Sequence, residues 1–543
     1  MVNVPDLTFG MIGAAALAAA SCSPGKDTEN QRPNILCIVC EDIGPFLGCY
    51  GDSVAVTPNL DRLASESVRY TQMHTCVGVS SPSRFSLITG MYSSAMGANY
   101  MRTLGDSEKF LPEGITPYEV VPPPGVRCYS EYMRAAGYYC TNGPKTDYQF
   151  IAPVTAWDEC GKRPDFLSRP EGMPFFSIIN LGVTHESQIW ERSGLPLAVD
   201  PSEVEVPPYY PDTPTVRHDL AVLYSNIAEM DRQSGEILDT LRSCGEIDNT
   251  IVIWYSDNGG PMPRGKREIY TSGTRVPFMI RYPDGKKAGT VENRLCMFVD
   301  IPATILSLAG IKPPSYMHGK PFAGKWNSRP RKYVYGARDR MDEKVDKQGG
   351  IFDGRYHYIR NYMPERPCNL DCAYQNNIPS MQEMAGMFKR GELDPVQARW
   401  FSSPRPEVEF YDELNDPYEI HDISSGMKAT GTYKRLERNY NRWIRRYNRA
   451  WFIPESETYV RFLPGGEKMK TSPPLIQQKG KRVEIKINTP GSSVNYRITP
   501  PGAEAGRWML YTGAFAAEKG SVVEAVADRA GYEKSPSVLL QIN

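Results

Sequence analysis

The chain has 543 residues, 41% hydrophobic, 23% charged and 11% aromatic, an ordinary globular balance over a length that suits three or four domains. With 62 Lys and Arg against 63 Asp and Glu, its formal net charge of −1 gives no reason to expect nucleic acid or an anionic membrane surface as a general partner. An anionic substrate would have to be met by positive charge concentrated in one pocket.

The N-terminus carries an apolar run of small residues, "FGMIGAAALAAASC", too short for a comfortable membrane span and readable as the core of an export signal. Ala20-Ser21-Cys22 resembles a bacterial lipoprotein cleavage site, at which Cys22 would be acylated and become the mature, membrane-tethered N-terminus. The first ten residues contain no Lys or Arg, unlike the usual positive start of such signals. Residues 1–22 are read as the signal, and the protein as exported to the periplasm or outer membrane of a bacterium.

"PNILCIVCED" is a continuous apolar run ending in acids, as expected of a fully buried strand in an α/β sheet. Cys37 and Cys40 within it should point to opposite faces, which favours buried thiols over a metal or redox CxxC. "TPNLDRLASES" predicts a helix with Thr57 as N-cap and Pro58 at its first position. "CVGVSSPSRFSLITG" predicts another, capped by Ser80 or Ser81, with Pro82 near its first position and Phe85 and Ile88 on the buried face. Further strand-like runs span 175–183, 250–256 and 276–282, with the helical "VRHDLAVLYSNIAEMDRQSGEILDTLRSCG" among them. Strands alternating with helices over about 300 residues imply an α/β fold with a mostly parallel sheet covered on both faces. Ligands of such sheets gather beyond the carboxyl ends of the strands.

After "NSRPRK" the runs shorten to "KYVYGARD" and "GRYHYIRNY", followed by a basic helix in which Leu436, Tyr440, Trp443 and Tyr447 share one face. From about Ser472, alternating apolar and polar residues separated by turn residues predict a small β-sandwich. The expected divisions are a catalytic domain at 33–327, a smaller α+β subdomain at 328–455 and the sandwich at 472–543. Cys368 and Cys372 sit in a loop-like segment and could pair in an oxidising compartment.

Glu41-Asp42 immediately follows the first strand, and Asp257-Asn258 follows "TIVIWYS". If both strands lie parallel in one sheet, three carboxylates and an amide oxygen meet at its carboxyl edge and suit Ca²⁺ or Mg²⁺. Either pair alone reads equally well as helix capping. Lys145, His185 and Lys266 also lie close to strand ends. Singly each reads as surface or structural; converging on the same edge they make an oxyanion pocket.

These residues also match a family. Ser80-Ser81-Pro82-Ser83-Arg84 with Ile88-Thr89-Gly90 resembles the signature of the formylglycine-dependent sulfatases of the alkaline-phosphatase superfamily. "PNILCIVCED", "TPNLDRLASES", "SDNGG", "GKREIYTSGTRVP" and "FYDELNDPYEIHDIS" extend the resemblance over roughly 33–425. The region around "VPPYYPDTPTVRHDLAVLYSNIAEMDRQSGEIL" is most similar to the N-sulfoglucosamine sulfohydrolase branch, and the tail resembles a chitobiase C-terminal β-sandwich.

The resemblance implies that Ser80 is oxidised to formylglycine (3-oxoalanine), whose hydrate attacks sulfur and later expels sulfate. A serine at this position implies an anaerobic radical-type maturase as a partner. Glu41, Asp42, Asp257, Asn258 and residue 80 would hold one Ca²⁺. Arg84 would hold the diol, Lys145 and Lys266 the sulfate oxygens, and His185 the leaving group. Glu41 stands where the family usually has Asp. Asp147 stands where many members place a second His that deprotonates the diol, and it could take that role as a base. The expected substrate is a sulfated oligosaccharide such as a heparan-type glycosaminoglycan, with N-sulfoglucosamine or an O-sulfated sugar carrying the group removed. A phosphodiesterase or phosphonate hydrolase on the same scaffold, and a catalytically dead carbohydrate-binding protein, are the alternatives. Arg338 and Arg340 could contact a uronate, or form structural ion pairs with Asp339 or Asp342.

Overall fold

The apolar runs of the first 300 residues assemble into one nine-stranded sheet in the computed structural model, which describes residues 32–105, 111–162 and 165–543. Its strands are β1 (Asn34–Cys40), β2 (Ser67–His74), β3 (Tyr139–Gly143), β4 (Glu159–Cys160), β5 (Phe175–Leu181), β6 (Thr250–Ser256), β7 (Arg275–Arg281), β8 (Thr290–Glu292) and β9 (Cys296–Met297). They run in the order β4-β3-β5-β1-β6-β7-β2-β8, with β9 beside β2. The five strands from β4 to β6 are mutually parallel, as the α/β pattern implies. β7 departs from that pattern and runs antiparallel to both β6 and β2. No long crossover helix intervenes between β6 and β7, so the chain turns back at the same sheet edge.

Helices cover both faces: α1 (Pro58–Ser65), α2 (Ser80–Thr89), α3 (Tyr129–Ala135), α4 (Gln188–Glu191) and α5 (Pro214–Ser243). β1 shows how the core divides. Ile35, Cys37 and Val39 pack with Phe85 and Ile88 of α2 and Met133 of α3. Leu36, Ile38 and Cys40 pack on the other face with Leu60 and Leu63 of α1 and Leu220, Ile227 and Leu238 of α5. Cys37 and Cys40 therefore occupy opposite faces as free buried thiols, which follows from the two-residue period of a strand.

Of two expectations about helix starts, the positions of Thr57 and Pro58 hold and the capping of α2 by Ser80 or Ser81 is corrected. Thr57 does occupy the N-cap of α1, but its hydroxyl accepts from the Gly48 N–H at 3.0 Å and donates to Asp61 instead of capping the helix. α2 begins at Ser80 itself, with Val79 in extended conformation as its N-cap. All ten residues of α2 are buried, so it is a core helix rather than one with a single apolar face.

A second, antiparallel sheet comprises β10 (Val334–Arg338), β11 (Gln348–Phe352), β12 (Tyr356–Asn361) and β13 (Val408–Asp412). Helix Gly431–Tyr447 lays Leu436, Tyr440 and Trp443 in the same core as Ile351 and Tyr358 of this sheet. Cys368 and Cys372 are free thiols rather than a bonded pair. They lie in separate cores, where Tyr270 and Arg405 approach Cys368 and Cys372 donates to the Met341 carbonyl.

The C-terminal strands are β14 (Leu475–Lys479), β15 (Arg482–Lys486), β16 (Ser493–Thr499), β17 (Met509–Leu510), β18 (Phe515–Ala516), β19 (Val522–Asp528) and β20 (Val538–Gln541). They form two sheets, β14-β15-β18 and β17-β16-β19-β20, whose shared core contains Ile476, Val483, Ile485, Val494, Val523 and Ala525. Among the described residues, no helix is long and apolar enough to cross a membrane. The expected signal and Cys22 lie outside the described residues.

Candidate active site

Strand register brings the singled-out residues to one edge. β1 pairs with β5 through Cys40 and Leu181 and with β6 through Cys40 and Ser256, so Glu41-Asp42, the 182–185 turn and Asp257-Asn258 leave the sheet side by side. β3 pairs with β5 in the same direction and delivers Lys145 two residues after its end. Lys266 comes from the β6–β7 connection. A Cβ at Gly259 in that connection would stand 2.3 Å from the Ser272 carbonyl oxygen, so glycine is required for the loop to fold back this closely.

α2 points its hydroxyls at this edge, which explains why they do not cap the helix. Ser80 Oγ donates to Asn258 Oδ1 at 3.2 Å, Ser81 Oγ donates to Asp147, and Ser83 Oγ donates to the Asp257 carbonyl at 2.6 Å. Arg84 Nε donates to Asp257 Oδ2 at 2.8 Å and Nη1 to Asn180 Oδ1 at 2.6 Å. Its Nη2 is buried and meets no acceptor among the described residues. An anionic oxygen held at position 80 would satisfy it.

The acids and lysines interlock. Lys266 Nζ donates to Asp42 Oδ2 at 2.5 Å and lies 3.4 Å from Glu186 Oε2. Lys145 Nζ donates to Glu41 Oε2 at 2.5 Å and lies 3.7 Å from Asp147. His185 Nε2 is 3.9 Å from Glu41 Oε2. Burial alone would favour neutral Asp42, but Lys266 holds its carboxyl well below the usual range. Asp257 is pushed up by burial and by the charges of Glu41 and Asp42, against the pull of Arg84. His185 is pushed down to about 3 by burial and by the ammonium groups of Lys266 and Lys145.

Among the described residues, no three histidines, cysteines or acids stand as a ready-made metal site, and the carboxylates are bound to Lys145, Lys266 and Arg84. The donor set nevertheless fits a hard cation. Three carboxylates and an amide oxygen crowd one buried strand edge, and Asp257 is disfavoured as an anion by its acidic neighbours. Asp42, Asp147 and Arg267 also adopt left-handed backbone conformations, with φ of 50°, 53° and 73°, in keeping with strain held at a functional site.

Several residues of this cluster escaped the sequence reading. Glu186 is fully buried, binds Arg267 at 2.6 Å and reaches the Lys266 ammonium; its backbone N–H donates to Asp42 Oδ2 at 2.7 Å. Arg267 also binds Asp342 at 3.1 Å. Asn180 had a legible signal, as a polar residue inside the apolar strand β5. Arg338 and Arg340 do not reach this pocket's acids. Both are buried structural cations, Arg338 paired with Glu268 and Asp346 and Arg340 with Glu455, rather than with the expected side chains of Asp339 and Asp342.

A family profile described as Sulfatase matches residues 33–147 and 162–311, and one described as N-sulphoglucosamine sulphohydrolase, C-terminal, matches 264–400. The chain is 38% identical to an ulvan-active sulfatase of Formosa agariphila, over 94% of this chain and 91% of that protein. It is 25% identical to the N-sulphoglucosamine sulphohydrolase of Homo sapiens, over 76% of this chain and 90% of the relative. Among solved structures, one in complex with its substrate D-glucosamine-2-N,6-O-disulfate superposes with a TM-score of 0.54 at 18% identity, covering 79% of this chain and all of that one. The phosphonate monoester hydrolase of Agrobacterium radiobacter gives 0.54 at 15% identity over 77% of this chain and 96% of its own, so this architecture is shared by hydrolases of different names.

Proposed function

The chain belongs to the sulfatase family, and from that premise we propose that it removes sulfate from a polysaccharide of the ulvan kind, with formylglycine made from Ser80 as the nucleophile and one Ca²⁺. The observation that carries this reading is the position of Ser80. It heads a wholly buried helix, donates to Asn258 and stands among the strand-edge acids and lysines. The proposed division of labour is a sulfatase unit at 33–327 and 328–455, with the sandwich at 472–543 as an accessory.

Oxidation of Ser80 by an anaerobic radical-type maturase gives an aldehyde whose hydrate carries one hydroxyl to attack sulfur and a second whose deprotonation expels sulfate. An unmodified serine would stop at a stable sulfate ester. A cation held by Glu41, Asp42, Asp257 and Asn258 would stabilise negative charge on the oxygens at position 80. Arg84 Nη2, buried and without a partner among the described residues, is suited to fix one of those oxygens. Lys145 and Lys266, now paired with Glu41 and Asp42, would take sulfate oxygens once those acids turned to the cation. Asp147, tied to Ser81 and 3.7 Å from Lys145, is the candidate base for the second hydroxyl. His185 is the candidate acid for the leaving oxygen. Burial and then two ammonium charges hold its pKa down, and the negative charge of a bound sulfate ester would offset the second of these and favour its protonated form.

Sequence identity ranks the ulvan-type substrate first. A second reading, removal of the N-sulfate of glucosamine, is favoured by the C-terminal family match at 264–400. Sulfate release from ulvan fragments and from N- and O-sulfated glucosamine oligosaccharides decides between them. Turnover confined to the N-sulfated sugars would reverse the ranking, and turnover of phosphonate esters alone would overturn the reading.

Export and acylation at Cys22 rest on the sequence "FGMIGAAALAAASC". Membrane-bound protein that becomes soluble on Cys22→Ala substitution supports the anchor, and equal solubility of both forms contradicts it.

A further inference from the structure

Three aromatic side chains from two separate segments meet beside the catalytic edge. Tyr374, from the connection between β12 and β13, places its ring 6.3 Å from that of His185 and 5.4 Å from that of Trp190 on α4, edge to face in both cases. All three are only partly buried. The Arg102 guanidinium lies 4.4 Å over the Tyr374 ring, and its ion pair with Asp342 anchors it to the acid that also holds Arg267. The partly exposed ring is therefore held beside two cations, Arg102 and, 6.0 Å from its centre, Arg267, and borders the rings of His185 and Trp190. Its hydroxyl end senses the same pocket: after burial, Lys266 and Glu186 have the greatest influence on its ionisation.

Partly exposed aromatic surface next to a highly charged centre is the composition of a site that takes a ligand with one apolar face and one anionic group. A pyranose ring carrying a sulfate ester has those two surfaces. We propose that Tyr374 and Trp190 form the wall against which the sugar ring bearing the scissile sulfate lies, so that the C-terminal subdomain takes part in choosing the sugar. This rests on the sulfated-glycan reading above. The two rings would cover the C–H face of the sugar while the lysines hold its sulfate, and the fixed distance between wall and lysines would select where on the ring the sulfate can sit.

The test compares Tyr374→Ala, Tyr374→Phe and Trp190→Ala in the full-length, matured enzyme. Two quantities are measured: kcat/KM for the best sulfated oligosaccharide, and the inhibition constant of inorganic sulfate, which meets only the lysine pocket. Losing one aromatic contact should lower kcat/KM about 10- to 100-fold in each alanine variant. Tyr374→Phe should retain it within about threefold, and sulfate inhibition should stay within about threefold throughout. Parallel loss of sulfate inhibition would mean that Tyr374 only supports the fold of the pocket, and unchanged kcat/KM would mean that the sugar lies elsewhere. Either result overturns the proposal while leaving the sulfatase reading intact. Wild-type enzyme that releases sulfate from no sulfated glycan overturns both.

Discussion

Arg84 Nε and Asp257 Oδ2 lie 2.8 Å apart with both side chains buried, so the residue one turn beyond Ser80 is bound to the acid that follows β6. Arg84→Ala would leave Asp257 buried without its cation and cost roughly 3–5 kcal/mol of stability. Arg84→Lys keeps the charge but cannot donate to Asp257 and Asn180 in the same fork. It should fold close to normally and lose about 100-fold or more in kcat. Thermal unfolding and sulfate release measured on both variants check this; a lysine variant with wild-type kcat would contradict it.

The two lysines should separate by burial. Lys266 is 2% exposed and is the cation paired with buried Asp42, whereas Glu186 keeps Arg267, so Lys266→Ala strands one buried acid and should cost roughly 3–5 kcal/mol as well as activity. Lys145 is 25% exposed, so water can reach the gap it leaves beside buried Glu41, and its removal should cost less, about 1–2 kcal/mol in stability. Each should lower kcat/KM by about 100- to 1,000-fold. Equal destabilisation by the two substitutions would argue against this reading of the pocket.

Much of this site was legible because strand ends are legible. The acids of "CED" and "SDN" close continuous apolar runs, and parallel register then forces them together. Glu186 and Arg267 were hidden behind their neighbours: each follows a residue with an evident role, and pairing across 81 positions leaves no local trace. β2 and β3 were missed for a different reason. β2 mixes charged and apolar residues near the sheet edge, and β3 reads "YCTNG", with too few aliphatics to register as a strand. The hydroxyls of α2 looked like caps because sequence shows a helix start but not what faces it.

Glu419 offers a pH test. Its carboxylate accepts from the Thr271 N–H at 2.7 Å and from its hydroxyl at 3.0 Å, and meets His357 Nδ1 at 2.6 Å. Burial opposes its ionisation, but His357 and the Thr271 N–H hold its pKa below the usual 4.5. A depressed carboxyl contributes stability above its unfolded pKa and loses it as pH falls through the folded value. Glu419→Gln should therefore cost roughly 2–4 kcal/mol at pH 7, with the gap closing under acid conditions below about pH 4. A gap that widens on acidification would contradict the sign.

The C-terminal sandwich grips the segment downstream of Lys145 and Asp147. Asp528 Oδ2 accepts from the Val154 N–H at 2.9 Å, and Asn495 Nδ2 donates to the Val154 carbonyl at 2.7 Å. Asp528→Ala combined with Asn495→Ala should lower stability by roughly 2–4 kcal/mol, and faster hydrogen exchange at 150–156 should accompany it. Unchanged exchange there would show that the segment is held without the sandwich.

The central claim places the chemistry on residue 80. The most direct measurement is sulfate release from ulvan fragments by wild-type and Ser80→Ala protein co-produced with a maturase, with and without a Ca²⁺ chelator, alongside the mass of the peptide containing residue 80. The account predicts a wild-type peptide lighter than its serine form by two hydrogen atoms, and chelator-sensitive release that Ser80→Ala abolishes. Sulfate release by protein whose residue 80 remains serine, or by Ser80→Ala itself, would contradict it.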